Sequence, residues 1–407
     1  MGMNHTASNP GLSNQPSHPI YNIHFGLLCL SSLLFSASFN MLIPEMPAYL
    51  SKMGGAEYKG LVIAFFTLTA GISRPFSGKL TDTLGRVPVM AVGSIVCFIC
   101  GFLYPLLGNV LGFLLLRLVH GFSTGFKPTA TAAYVADIVP QERWGEALGI
   151  HGISYSTGMA IGPAIGSAIG QYYSIEILFY SSSALALLSI LILMNMKETV
   201  KNRHRFSFSL LKISKNDIID VRVLPAGIIT LLAYLPYGVI LTLVPDWAHH
   251  LGIANKGLFF MVFTIASLVI RFVAGKVSDR FGRVSVIKVG VIILVISLLV
   301  MAYADTAYGL LIGSVLYGIG SGVFSPAVNA WTVDLSNPEQ RGKAMATMYI
   351  SLEAGIGLGA FFSGLFFHDI LSRVQPMFYA SAAVLVLSFF YMQVWKKTPY
   401  SRAYHQH

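Results

Sequence analysis

"RPFSGKLTDTLGRV", residues 74–87, returns 197 residues later as "RFVAGKVSDRFGRV", residues 271–284. The two align without a gap through seven identities: Arg74/Arg271, Gly78/Gly275, Lys79/Lys276, Asp82/Asp279, Gly85/Gly282, Arg86/Arg283 and Val87/Val284. Self-similarity at a fixed offset is the mark of a duplicated architecture. The same offset pairs Gly121, Gly125, Ala130, Ala133 and Asp137 with Gly318, Gly322, Ala327, Ala330 and Asp334, and it pairs Gly158 and Gly162 with Gly355 and Gly359. At the start of each half the register shifts by four, matching "LIPEM" (42–46) with "LVPDW" (243–247). The chain reads as two parallel halves.

Composition tells which solvent surrounds them. Of 407 residues, 55% are hydrophobic and only 11% charged, with mean hydropathy +0.67; soluble domains are about a quarter charged. Twelve apolar stretches recur, at 21–50, 58–79, 87–107, 110–137, 143–171, 174–196, 222–250, 256–277, 284–304, 307–334, 341–369 and 374–395. Each is long enough to cross a roughly 30 Å hydrocarbon core as a helix. A transmembrane β-barrel needs alternating segments of about ten residues instead. The predicted fold class is an all-α polytopic membrane protein, with twelve transmembrane helices in two pseudo-symmetric six-helix bundles. The predicted boundaries are a polar N-terminal tail 1–19, a bundle 20–196, a basic linker 197–221, a second bundle 222–396 and a C-terminal tail 397–407. Residues 1–19 lack Lys and Arg and do not read as a cleavable signal peptide.

Lys and Arg favour cytoplasmic loops. One side of the predicted topology collects Lys79, Arg86, Arg143, the run Lys197–Arg222, Lys276, Arg280, Arg283, Lys288, Arg341, Lys343, Lys396, Lys397 and Arg402; the other holds Lys52, Lys59, Lys256 and Arg373. Both termini are thus predicted to be cytoplasmic, in a bacterial inner (plasma) membrane. The net charge of +10 follows from topology and calls for no nucleic acid. Cys97-x-x-Cys100 has no acidic or His neighbour in sequence, and Cys29, Cys97 and Cys100 all fall in apolar runs. Asp246-x-x-His249-His250 matches metal-ligand spacing only loosely, so no metal centre is predicted.

The duplicated loop resembles the signature of the major facilitator superfamily, Gly-x-Leu-Ala/Ser-Asp-basic-x-Gly-basic-basic. It reads here Gly78-Lys79-Leu80-Thr81-Asp82-Thr83-Leu84-Gly85-Arg86-Val87, departing at Thr81, Thr83 and Val87; the second copy restores a basic residue at Arg280. Parallel halves of this kind place a binding site near the bilayer midplane, at their interface. Gly78 and Gly275 clear space for a close backbone approach, and Gly85 and Gly282 suit a tight turn. Arg86 is positioned to pair with Asp137. A carboxylate such as Asp82 suits a helix N-terminus, which the resemblance puts at the eleventh segment, near "NPEQRG" (337–342). The resemblance makes these residues, with Asp279, Arg283 and Asp334, a gate on the cytoplasmic side. Plain topology-setting charge is the alternative.

The fifth segment resembles the signature of the superfamily's antiporters, most like its 12-helix drug/proton exporters. Gly149, Gly158, Gly162, Pro163 and Gly166 meet the pattern, which fails only at Ser167. The resemblance implies export by exchange and names the eighth segment as the packing partner. Ordinary packing of small residues accounts for the same glycines.

Charges inside a membrane are costly and mark function, above all where the repeat does not explain them. Glu353 has Ser156 as its counterpart and lies 12 residues past Arg341, roughly 18 Å up a helix. Burial disfavours the charged form of a carboxylate and a nearby cation favours it, so Glu353 is the first candidate for proton coupling. Arg117, His120, Thr124 and Lys127 follow one side of the fourth segment; their counterparts are Ser314, Tyr317, Ser321 and Phe324. Arg117 matches an arginine that the resemblance links to proton transfer, and His120 and His151 are relay candidates. With Thr124 and Lys127, the predicted cavity lining comprises Asn40, Tyr155, Tyr234, Tyr237, Asn329 and Trp331. Glu45 and Asp246 follow prolines at corresponding outer ends and are predicted to form an outer vestibule. Arg74 and Arg271 repeat and read as architecture.

These features predict a secondary transporter moving a small organic molecule by alternating access, as a monomer in the bilayer, driven by a proton gradient without a cofactor. Proton-coupled export is the first reading, uptake by symport the second, and a transport-dead sensor or scaffold the third. The cationic fourth segment tilts the substrate towards an anionic, zwitterionic or metal-chelating compound, with multidrug efflux left open. No His-Glu-x-x-His pair or Walker loop suggests an enzyme.

Overall fold

The computed structural model describes residues 22–140, 143–201, 203–212, 218–337 and 341–395. The predicted tails 1–19 and 397–407 lie outside the described residues. The helices are α1 (Ile23–Asn40), α2 (Met46–Lys52), α3 (Lys59–Thr83), α4 (Arg86–Leu103), α5 (Val110–Ile138), α6 (Trp144–Tyr172) and α7 (Ile175–Met194) in the first half. The second half has α8 (Leu224–His250), α9 (Gly257–Phe281), α10 (Arg283–Ala302), α11 (Ala307–Leu335), α12 (Arg341–Phe367) and α13 (Val374–Trp395). Among the described residues twelve of these have 18 residues or more, and ten are long and apolar enough to span a membrane by length and composition alone. The other two, α5 and α6, carry the buried cations and the glycine row. The protein is a multi-pass membrane protein. The ends of the bundle are called here the terminal face, where the linker and both signature loops lie, and the distal face opposite.

Helix ends repeat with the sequence. Asn109 caps α5, accepting from the Gly112 amide at 2.7 Å, and Thr306, 197 residues on, caps α11 through the Gly309 amide at 3.2 Å. Such caps satisfy a backbone donor left free by the first turn. Gly85 (φ +122°) and Gly282 (φ +84°) separate α3 from α4 and α9 from α10, a conformation costly for other residues. One boundary differs from expectation. The stretch 21–50 breaks at residues 41–45 into α1 and α2, whereas its counterpart continues through Pro236 and Pro245 to the end of α8.

The glycine row of α6 packs within its own half. A Cβ at Gly158, Gly162 or Gly166 would lie 2.3, 2.9 or 2.0 Å from the carbonyl oxygens of Leu33, Ala37 and Met41 on α1 and the turn after it. Gly355 and Gly359 of α12 meet Leu231 and Leu235 of α8 in the same way, at 2.4 and 1.9 Å. The expected partner of the row, the eighth segment, is therefore corrected to α1. Pro163 faces that segment, because its carbonyl oxygen would lie 1.9 Å from a Cβ on Gly257 at the start of α9. Gly149 faces open space.

The halves meet along α3–α12 and α6–α9. Gly60 abuts the Ala360 carbonyl and Gly364, and Gly357 abuts Thr67. Without a hydrophobic drive inside lipid, small residues that let backbones approach supply the packing. Val269, Phe272, Leu387 and Phe390 are exposed on the outer surface, as a lipid-facing surface requires. Replacing Gly166 with Leu should lower stability in detergent by about 1–3 kcal/mol, the usual cost of overpacking, while Gly149→Leu should leave the melting temperature unchanged. Thermal unfolding of the two variants checks this.

Candidate functional site

Glu353, in the middle of α12, is buried, and its Oε1 accepts a hydrogen bond from Arg74 Nη2 of α3 at 2.7 Å. The pair joins the two halves. Gly71, one turn before Arg74, makes room: a Cβ there would sit 3.3 Å from the Glu353 Cβ. The Arg74 guanidinium lies 4.7 Å from the centre of the Tyr349 ring; Tyr155 of α6 is near enough to feel both charges, and Tyr234 of α8 feels those of Glu353 and Arg271. Arg74 Nε is buried without a hydrogen-bond partner among the described residues. Removing one member of such a pair leaves a charge in a poor solvent and typically costs about 3–5 kcal/mol. The prediction for Arg74 is corrected here. Its repeat, Arg271, is exposed, and Ser156 replaces the acid on that side, so repetition hid an arginine whose role exists in one copy only.

The α5 stripe turns into the first half and makes no contact with Glu353. Arg117 Nε donates to the Val62 carbonyl at 2.8 Å, with its guanidinium 4.5 Å from the centre of the Phe66 ring. His120 Nδ1 lies 3.0 Å from Tyr104 Oη, and its Nε2 lies 3.3 Å from Cys97 Sγ. Thr124 donates to Gly121 within its own helix. Among the described residues neither Arg117 nor His120 is in contact with Glu353. Lys127 is fully buried; it donates to Ser31 and Ser189 and lines a small cavity with His151 and Tyr155. His151 Nε2 lies 2.9 Å from Ser32 Oγ.

Asn40 and Tyr237 line a second, narrow cavity between the halves, together with Met159, Pro163 and Phe260. Tyr234 stands edge-on to Tyr237 and Phe324. Asn329 is half-buried on α11. Trp331 is corrected: it is buried against Trp395 with ring centres 4.9 Å apart, inside the second half and away from either cavity. The string Gly121-Phe122-Ser123-Thr124-Gly125 spells a nucleophile-elbow pattern, which requires a sharp strand-to-helix turn. Here it lies inside the continuous α5 with Ser123 buried, and it forms no elbow.

At the terminal face each signature loop closes on its own half. Arg86 bonds Asp82 and Asp137, and Arg283 bonds Asp279 and Asp334. The expected position of Asp82 at the start of the eleventh segment is corrected, since its carboxylate is turned to Arg86. A Cβ at Gly78 or Gly275 would meet nothing within 4 Å, so the close approach expected there is absent from this conformation. The first copy has an added partner: Glu198 of the linker accepts the amides of Arg86 and Val87, both at 3.0 Å, at the N-terminus of α4, where a carboxylate is favoured.

At the distal face the two halves are latched across their interface. Lys59 pairs with Asp246 at 2.7 Å and with Asp369, while Lys256 pairs with Glu45 at 2.9 Å. Lys59 and Lys256 stand 197 residues apart, so the latch is one contact made twice by the pseudo-symmetry. That offset was the signal available in sequence. Ser167, the residue that breaks the antiporter signature, donates to Glu45 at 2.8 Å and accepts the Lys256 amide at 3.0 Å. Among the described residues every ion pair between the halves lies either here or at Arg74–Glu353. A cysteine placed at Met159, behind the latch, should react about tenfold faster with a membrane-impermeant thiol reagent from the distal side once Lys256 is changed to Gln. Exchanging Glu45 and Lys256 should restore slow labelling.

A sequence profile described as the Major Facilitator Superfamily matches residues 28–217 and 226–406. The chain is 26% identical over 346 residues to the uncharacterised MFS-type transporter MJ1560 of Methanocaldococcus jannaschii, covering 81% of this chain and 86% of that one. It is 26% identical over 338 residues to the multidrug resistance protein MdtG of Salmonella typhi, covering 77% and 81%. Its fold is similar to that of the nucleoside transporter NupG (TM-score 0.77, 14% identity, covering 93% of this chain and 100% of that one). The D-xylose–proton symporter is similar as well (TM-score 0.74, 16% identity, 92% and 97%). With both halves matched and twelve long helices in two bundles, the chain belongs to the Major Facilitator Superfamily of membrane transporters.

Proposed function

We propose that the chain exports a small organic molecule in exchange for protons, by alternating access of a site between its two halves, with both termini cytoplasmic in a bacterial inner membrane. The observation that carries this reading is the Arg74–Glu353 pair, a single acid and a single base that bridge the halves in mid-membrane. Protonating Glu353 removes the charge that holds Arg74 and loosens the bridge; losing the proton restores it. In this conformation the distal face is latched and the space beside Gly78 and Gly275 is free. That arrangement suits a state facing the cytoplasm, in which the proton has left and the substrate can enter. Switching then opens the distal latch and closes the terminal face around those glycines.

Direction draws on the α6 signature and on the relative named as a multidrug resistance protein. Uptake by symport is the second reading, and one observation favours it: Ser167 breaks the exporter signature and is spent on the distal latch. Purified protein in liposomes, offered a broad solute panel with and without a pH gradient, separates export, uptake and no transport. Glu353→Gln should slow gradient-driven transport by about 100-fold, the scale of losing a proton-transfer group, yet leave exchange of solute across the membrane intact. Full gradient-driven activity in that variant removes Glu353 from coupling.

A further inference from the structure

We infer that Tyr349 is the positioning residue of the coupling pair: its ring takes over the Arg74 charge when Glu353 is protonated, and so sets the pH at which the proton is accepted. The inference rests on the reading of Glu353 as the proton-coupling group and adds the residue that regulates it. Tyr349 and Glu353 stand four residues apart on α12, which puts both on one face of the helix, and both reach Arg74 of α3. Glu353 Oε1 accepts from Arg74 Nη2 at 2.7 Å, while the guanidinium lies 4.7 Å from the centre of the Tyr349 ring. One helix thus holds the same cation by a charge and by the electron-rich face of a ring.

The two holds respond differently to a proton. A protonated Glu353 still offers Arg74 a neutral oxygen but no charge, and among the described residues no other carboxylate lies within ion-pair distance of Arg74. Arg74 Nε is buried and finds no acceptor among them either. The ring is what remains, and a cation over an aromatic face is held most strongly where water is excluded. The other titratable groups around the pair come from the neighbouring helices: Tyr155 of α6 senses Arg74, Glu353 and Tyr349, and Tyr234 of α8 senses Glu353, Tyr349 and Arg271 of α9. Neither phenol is charged at neutral pH. Losing the Tyr349 ring therefore costs little while the carboxylate is charged and most once it is protonated. Proton uptake becomes harder.

The repeat separates this role from packing. At the 197-residue offset Glu353 corresponds to Ser156 and Tyr349 to Gly152, where a Cβ would meet nothing within 4 Å. Arg271, the counterpart of Arg74, is exposed. Acid and ring are present together on one side and absent together on the other, beside an arginine common to both.

The test replaces Tyr349 in the full chain with phenylalanine carrying no, one, two or three ring fluorines, introduced by nonsense suppression. Fluorine draws electron density off the ring face that attracts a cation and leaves its size and packing nearly unchanged. Spin labels at Tyr172 and Tyr308, exposed at the distal ends of α6 and α11, report the distance between the halves in nanodiscs as the pH is lowered. Tyr349→Phe should keep the native midpoint of the acid-driven change. Added fluorines should move the midpoint to lower pH in order of their number, by about 0.5 pH unit or more for three, which is roughly a threefold loss of proton affinity. Tyr349→Leu should move it in the same direction, and the fluorine series decides the matter even if that variant does not fold. A midpoint that is the same across the series, or that rises with added fluorine, overturns the inference and leaves Glu353 as the coupling group. If the native distance does not respond to acid at all, the coupling role of Glu353 falls and the role of Tyr349 with it.

Discussion

The structure turns on one charge pair in the wrong solvent. Arg74 and Glu353 are brought together from different halves at a depth where neither is well hydrated, so each depends on the other. Glycine at 71 and the Tyr349 ring hold the pair in place. An ion pair that spans a sliding interface is a natural place to couple protonation to movement, because the same proton that neutralises the acid weakens the contact between the moving parts. The rest of the interface is built from small residues and exchangeable ion pairs, suited to two alternative packings.

Pseudo-symmetry supplies the moving parts, and its breaches supply the specificity. The latch at the distal face is a duplicated contact, Lys59–Asp246 and Lys256–Glu45, and the terminal loops are duplicated clusters around Arg86 and Arg283. The two arms of the latch span the halves and would part together if one half rocked against the other, whereas each terminal cluster lies within its own half. Glu353 opposite Ser156 and Lys127 opposite Phe324 break the pattern, and Glu353 is the group that the proposed exchange protonates. Glu198 breaks it at the terminal face by tying the linker, among the described residues, to the first signature loop.

Two halves, helices and the signature loops were legible because hydropathy and the 197-residue offset are properties of sequence. Glu353 stood out for the same reason, as an acid without a counterpart. Arg74 did not, since a repeat can hold an arginine in place while its partner exists once. Trp331 looked like a cavity residue because sequence position assigns a side chain to a helix without saying which neighbour it meets, and the spacing of Arg117 and His120 likewise did not reveal that they turn into the first half. The glycine row misled in the same way: Gly158, Gly162 and Gly166 signal a close helix contact, and only the packing identifies the contact as α1. The latch was within reach, since Lys59 and Lys256 share the repeat offset, but ion pairing across the halves depends on conformation.

The central claim is that the charge on Glu353 holds the distal face shut. Distances between spin labels on opposite halves, one pair across the distal face at residues 54 and 252 and one across the terminal face at residues 83 and 280, measure this directly in nanodiscs. The account predicts that the native protein at alkaline pH keeps the distal pair close and the terminal pair apart, and that acid or Glu353→Gln shifts the populations in the opposite sense at both faces together. Distance distributions that are unchanged by acid and by Glu353→Gln would contradict it.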